Sequence, residues 1–126
     1  MFGMINREQL YSKCNSQIES AFGTPASEHL ALVEVGPSAS YDHIHLKGAV
    51  HLELLEIVNR SQHWFPNQAE EIVVYGENST STGPREALRL LHQKGFYNLY
   101  YYAGGKEDWM GAGLAMEYSL VPADHF

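Results

Sequence analysis

The sequence predicts an α/β fold, a three-layer sandwich in which helices flank a central, mainly parallel sheet. Two observations point there. Short runs at residues 31–35, 72–75 and 99–102 are almost continuously apolar and rich in β-branched or aromatic residues, as strands covered on both faces are. Between them lie segments with helical periodicity, and strands that alternate with helices are joined most simply as parallel neighbours.

The elements follow in order. Asn6 with Gln9 three positions later is a capping pattern, and Leu10, Cys14 and Ile18 recur at helical spacing, which predicts a helix from residue 7 to about 20. Gly23, Thr24, Pro25 and Ser27 break it, and Ala31-Leu32-Val33-Glu34-Val35 is the first strand. Gly36-Pro37-Ser38 turns the chain into a short helix carrying Tyr41, residues 49–52 form a second brief strand, and 53–59 form a helical turn or two. Ile72-Val73-Val74-Tyr75 is the clearest buried strand and runs into a polar loop over residues 76–83. Pro84 suits a first helical position, Ala87, Leu88 and Leu91 line one face, and Gly95 closes this helix. Leu99-Tyr100-Tyr101-Tyr102 is a further strand, and Gly104-Gly105 leads into a short helix around Trp109 that ends at Gly111 and Gly113.

At 126 residues and 44% hydrophobic content, residues 1–126 are expected to form one domain. A formal charge of −7 offers no basic face for phosphate neutralisation, so nucleic acid is not an expected partner. No apolar run approaches the ~20 residues that cross a bilayer, and residues 1–10 lack the basic and apolar regions of a signal peptide. A membrane is therefore not an expected partner, and the expected location is the cytoplasm. The lone Cys14 cannot form an intramolecular disulfide, which agrees with a reducing compartment.

Four separated segments, in order and spanning residues 31–117, resemble the rhodanese-like domains. Glu34-Val35-Gly36 is similar to the Asp-Val-Arg that ends the family's first strand. His45-Leu46-Lys47-Gly48-Ala49, with Tyr41 upstream, is similar to its His-Ile-x-Gly-Ala segment. Val73-Val74-Tyr75-Gly76 resembles the strand Val-Val-Tyr-Cys that enters the active-site loop, and Gly104-Gly105 with Trp109 and Gly113 resembles the family's Gly-Gly-x-x-x-Trp and following Gly. The resemblance implies a rhodanese-like sandwich and, for most members, sulfur transfer by a thiolate held in the loop.

That thiolate is missing here: Gly76 stands at the family's cysteine position, and residues 77–83 contain no cysteine. Ser81 falls where some members carry a second cysteine, and Ser81 and Thr82 fall where the commoner loop carries an arginine. The stretch from Gly76 to Gly95 is also about two residues longer than that form. Ser79 or Ser81 as a nucleophile would need a base, and the loop offers only Glu77. Arg85 either substitutes electrostatically for the lost arginine or is an ordinary exposed helix residue. A cysteine restored at Gly76 is expected to be acidic, because backbone donors would favour its anion.

The expected function is therefore a non-catalytic one, an anion-binding or protein-binding regulatory module with no catalytic residue, no metal and no cofactor. The alternative is a sulfurtransferase or phosphatase-like enzyme with an unrecognised or partner-supplied nucleophile. The expected site is the loop Gly76, Glu77, Asn78, Ser79, Thr80, Ser81, Thr82 and Gly83. Its end glycines would let N–H groups turn inward, its hydroxyls would donate, and the helix opening at Pro84 adds partial positive charge. Glu77, if folded inward, would occupy the cradle itself. The expected partner is an unidentified protein or a small anion. His43 and His45 have the spacing of two imidazoles on one strand face, but no third ligand is well spaced. Trp64, Phe65 and the tyrosines at 100–102 serve either as core or as an aromatic docking surface.

Overall fold

The computed structural model describes residues 1–20 and 30–118, apart from the side chains of 16–20. The first half of the chain runs β1 (Gly3–Met4), α1 (Arg7–Ser20), β2 (Leu30–Glu34), α2 (Ser38–His43), β3 (His45–Leu46) and β4 (Val50–His51). The second half runs α3 (Leu54–Trp64), β5 (Glu71–Tyr75), α4 (Gly83–Gln93), β6 (Leu99–Tyr102), α5 (Gly105–Gly111) and β7 (Met116–Glu117). Five strands form one parallel sheet in the order β1-β6-β5-β2-β4, and β3 pairs with β7 as a separate antiparallel ribbon. The expected α/β sandwich with a parallel central sheet is the observed architecture.

Strand residues alternate strictly between two cores, because successive side chains of a strand leave on opposite faces. Val33, Val35, Ile72, Val74, Leu99 and Tyr101 pack on one side with Ile57 of α3 and Ala87, Leu88 and Leu91 of α4. Leu32, Val73, Tyr75 and Tyr102 pack on the other with Leu10 of α1 and Trp109 of α5. Full burial of each such side chain is worth about 1.5–3 kcal/mol. Both faces are covered, which is why these strands read as unbroken apolar runs.

Several local expectations hold. Asn6 and Gln9 exchange backbone-to-side-chain hydrogen bonds of 2.9 and 2.8 Å at the start of α1. Gly95, just past α4, has φ +100, a left-handed conformation that closes the helix at little cost only for glycine. Ile18 and the break at Gly23 to Ser27 lie outside the described residues.

Other expectations need correction. The first strand of the chain is the two-residue β1, and β3 and β7 were also unforeseen, since two residues carry no readable period. Helix α3 extends to Trp64 rather than stopping near 59. Its polar second half bends at Arg60 (φ −137, ψ 17), while Ile57 and Ser61 bury its inner face and Glu53 and Glu56 form a capping box. Pro84 is the second residue of α4, after Gly83. His43 ends α2 while His45 lies in β3, so the two imidazoles do not share a strand face. No described helix is long and apolar enough to cross a membrane.

Candidate functional site

The polar loop leaves the C-terminal end of β5, the middle strand, and enters α4. Its first two carbonyls are fixed from the far side: Gly76 accepts from the N–H of Lys106 at 2.9 Å and Glu77 from that of Glu107 at 3.0 Å. The close approach of α5 depends on Gly105, which sits at φ +70 and where a Cβ would fall 2.5 Å from the Gly76 carbonyl oxygen.

The loop interior is filled by the loop itself. The Ser81 hydroxyl accepts from the N–H of Glu77 at 3.2 Å and of Asn78 at 3.4 Å, and the Ser81 N–H donates to the Asn78 carbonyl at 3.1 Å. Asn78 Oδ1 takes the N–H and hydroxyl of Thr80, and its Nδ2 donates to Glu107. A Cβ on Gly76 would meet Pro84 Cγ and Ser81 Cβ, each at 2.8 Å. Gly76 and Gly83 do not have positive φ, so neither uses the conformational freedom particular to glycine. At Gly76 the constraint is space, and at Gly83 a Cβ would crowd Val35 at 3.0 Å.

A charged network that the sequence reading did not foresee lies beneath the loop. Lys106 Nζ is 2.8 Å from Glu34 Oε2, with 2% and 3% of the two side chains exposed. The same ammonium donates to the carbonyl and hydroxyl oxygens of Ser40, both at 2.9 Å. Glu34 Oε1 accepts from the Tyr75 hydroxyl at 2.7 Å, and the Tyr75 oxygen accepts from the Leu46 N–H at 3.2 Å. The Ser40 hydroxyl donates in turn to Glu77 Oε1 at 2.9 Å, which lies 3.8 Å from Lys106. The Glu77 carboxylate thus turns toward α2 and the buried lysine, away from the loop interior. Two signals were legible in retrospect: a lone carboxylate in an apolar strand, and a lysine inside a Gly-Gly-x-x-x-Trp segment.

Burial, then the charge of Glu34, raises the pKa of Tyr75. Its folded pKa lies above the unfolded value, so the stability it contributes is complete below about pH 10 and declines as pH rises beyond that. Tyr75→Phe is expected to cost about 1–3 kcal/mol at neutral pH, since Glu34 loses a donor and the Leu46 N–H its acceptor. It should also flatten the alkaline fall, which urea unfolding at pH 8 and pH 11 would measure.

The remaining candidates separate clearly. Cys14 packs against the cluster containing Leu10, and burial raises its thiol pKa, the opposite of an activated nucleophile. His45 is buried, with Nδ1 2.8 Å from the Tyr41 carbonyl oxygen and its ring stacked 3.8 Å from that of Tyr41. That hydrogen bond is structural and ties β3 to α2. No group of three metal-ligating side chains occurs among the described residues. Phe65, Tyr101 and Tyr102 are buried core, whereas Trp64 is 40% exposed. Arg85 is exposed, with its guanidinium 5.0 Å over the ring of Tyr101.

A parallel sheet whose middle strand delivers a polar loop to a helix N-terminus defines an α/β domain that presents its site at the strand C-termini. In other proteins, loops at that position hold anions or nucleophiles among backbone donors. The chain belongs to the rhodanese-like domain family, whose model matches residues 17–112 and so reaches into α1. A full-length protein from Lactobacillus plantarum shares the fold at 22% identity and TM-score 0.69, over 91% of this chain and 87% of that one. A Rhodanese_3-like domain from an Anabaena protein does so at 24% identity and TM-score 0.64, over 77% of this chain and 100% of that one. An E. coli rhodanese solved with anions matches at 20% identity and TM-score 0.60, over 72% of this chain and 100% of that one. No curated protein matches this sequence.

Proposed function

We infer that this rhodanese-like domain does not transfer sulfur and acts as a binding or regulatory module, with residues 76–83 as its recognition loop. One observation carries the reading: at Gly76, which the resemblance sets at the family's thiol position, Ser81 and Pro84 fill the space a side chain would need. A persulfide carrier needs a thiolate, and the chain's one thiol is half-buried on α1, packed against the core. The same loop is a weaker anion cradle than its composition implies. An entering anion must first displace the Ser81 hydroxyl from two backbone N–H groups, although the start of α4 still favours negative charge. The E. coli rhodanese that shares this fold was solved with anions, which supports a small anion as a candidate ligand.

Incubation with thiosulfate and cyanide is expected to give thiocyanate no faster than background, and mass spectrometry after a persulfide donor should show no added sulfur. Turnover that survives Cys14→Ser would overturn the reading. Turnover lost in that variant would make Cys14 the carrier and overturn it too.

A further inference from the structure

Outside the loop, a groove of about 730 Å³ runs between residues 79–83, the first turns of α4, the start of α3 and the residues ahead of β1. Its walls differ in chemistry. Phe2 and Leu54 supply apolar surface, and α3 continues it through Val58, one turn beyond Leu54, and Leu55, which are 38% and 68% exposed. Arg85 and Arg89 face the groove one turn apart on α4. Arg89 is paired with Glu86, whereas Arg85 has no carboxylate partner among the described residues. Its guanidinium is instead pinned over Tyr101, whose ring Phe2 meets edge-on at 6.1 Å. In a chain of net charge −7, an unpaired cation held on an aromatic platform beside exposed aliphatic side chains runs against the prevailing field.

We propose that this groove docks a short segment of another protein in which an acidic side chain neighbours an aliphatic one. The carboxylate pairs with Arg85, and the aliphatic side chain lies on Leu54 and Val58. A peptide fits better than a small metabolite, because the apolar surface extends past the groove along α3. Charge argues for a foreign partner over a second copy, since two copies would each bring a charge of −7 to the contact. The inference rests on the non-catalytic reading above and names the partner's chemistry.

The test is to titrate the full chain, isotopically labelled, with the N-acetylated peptide Glu-Leu-Glu-Leu-Glu while following backbone amide shifts. Saturable shifts confined to residues 54–58 and 79–89 are expected. Arg85→Glu should weaken binding about tenfold or more and Val58→Ser severalfold, as loss of central contacts does. The matched Lys-Leu peptide should not bind. No saturation at millimolar peptide, equal binding of the Lys-Leu peptide, or unchanged affinity in Arg85→Glu would each overturn the proposal. Shifts confined to residues 76–78 and 105–107 would overturn it in favour of the loop interior, and concentration-dependent shifts without peptide in favour of a second copy. Sulfur loading would sink the non-catalytic reading without moving these amide shifts, so the two failures are distinguishable.

Discussion

Lys106→Ala is expected to destabilise the domain by about 3–5 kcal/mol, the usual consequence of leaving one member of a buried ion pair alone. Removing the ammonium strips Glu34 of its only counter-charge among the described residues, in a site where 3% of its side chain is exposed, leaving the Tyr75 hydroxyl as its donor. The Ser40 carbonyl and hydroxyl oxygens lose their shared donor as well. A loss of that size is a large fraction of the ~5–15 kcal/mol that holds a typical domain. The pair itself need not be a large net stabiliser, because desolvation offsets much of its Coulomb attraction. The double variant Glu34→Gln with Lys106→Met should therefore stand within about 2 kcal/mol of the natural chain, since a neutral amide still accepts from Tyr75. Urea unfolding of the three proteins decides. A loss below about 1 kcal/mol for Lys106→Ala would place the pair among the hydrated surface bridges instead.

Gly76→Cys is expected to lower stability by about 1–3 kcal/mol, as overpacking does, and not simply to restore an acidic thiol. The new Cβ would stand 2.8 Å from both Pro84 Cγ and Ser81 Cβ. Pro84 is buried and rigid, so the loop must shift. Adding Ser81→Gly removes one of the two collisions and frees the N–H groups of Glu77 and Asn78 that now hold the serine hydroxyl. In that double variant the thiolate should take over those donors, and its pKa should fall below the ordinary value of about 8.5. Alkylation rate against pH reports this directly. An ordinary titration in the double variant, or full stability in Gly76→Cys alone, would show that the space beside Gly76 is not closed by Ser81 and Pro84.

The order and type of the larger elements were legible because each had a period or a cap. The runs at 31–35, 72–75 and 99–102 were apolar on both faces, the Asn6 and Gln9 pair marked the start of α1, and Gly95 marked the end of α4. Where the sequence was silent, the structure depends on non-local pairing. Strands β1, β3 and β7 have two residues each, and the second half of α3 is polar by composition yet held by its buried inner face. The loop's identity as the site was legible from its place between a buried strand and a helix. Its internal state was not, because serine at position 81 reads as a surface hydroxyl until its contacts with Glu77, Asn78 and Gly76 are seen.

By itself the sequence determined the fold class, the family, and the absence of a thiol from residues 76–83, since all three follow from residue types at fixed spacing. Tertiary structure alone decided which groups meet across the chain. It brought Glu34 of β2 and Lys106 of α5 together in a dry site, turned Glu77 toward Ser40 of α2, and set Ser81 and Pro84 against Gly76. Period and propensity act over a few residues, whereas these contacts join positions up to 72 apart in sequence, from 34 to 106, and exist only once the parallel sheet has set the ends of its strands side by side.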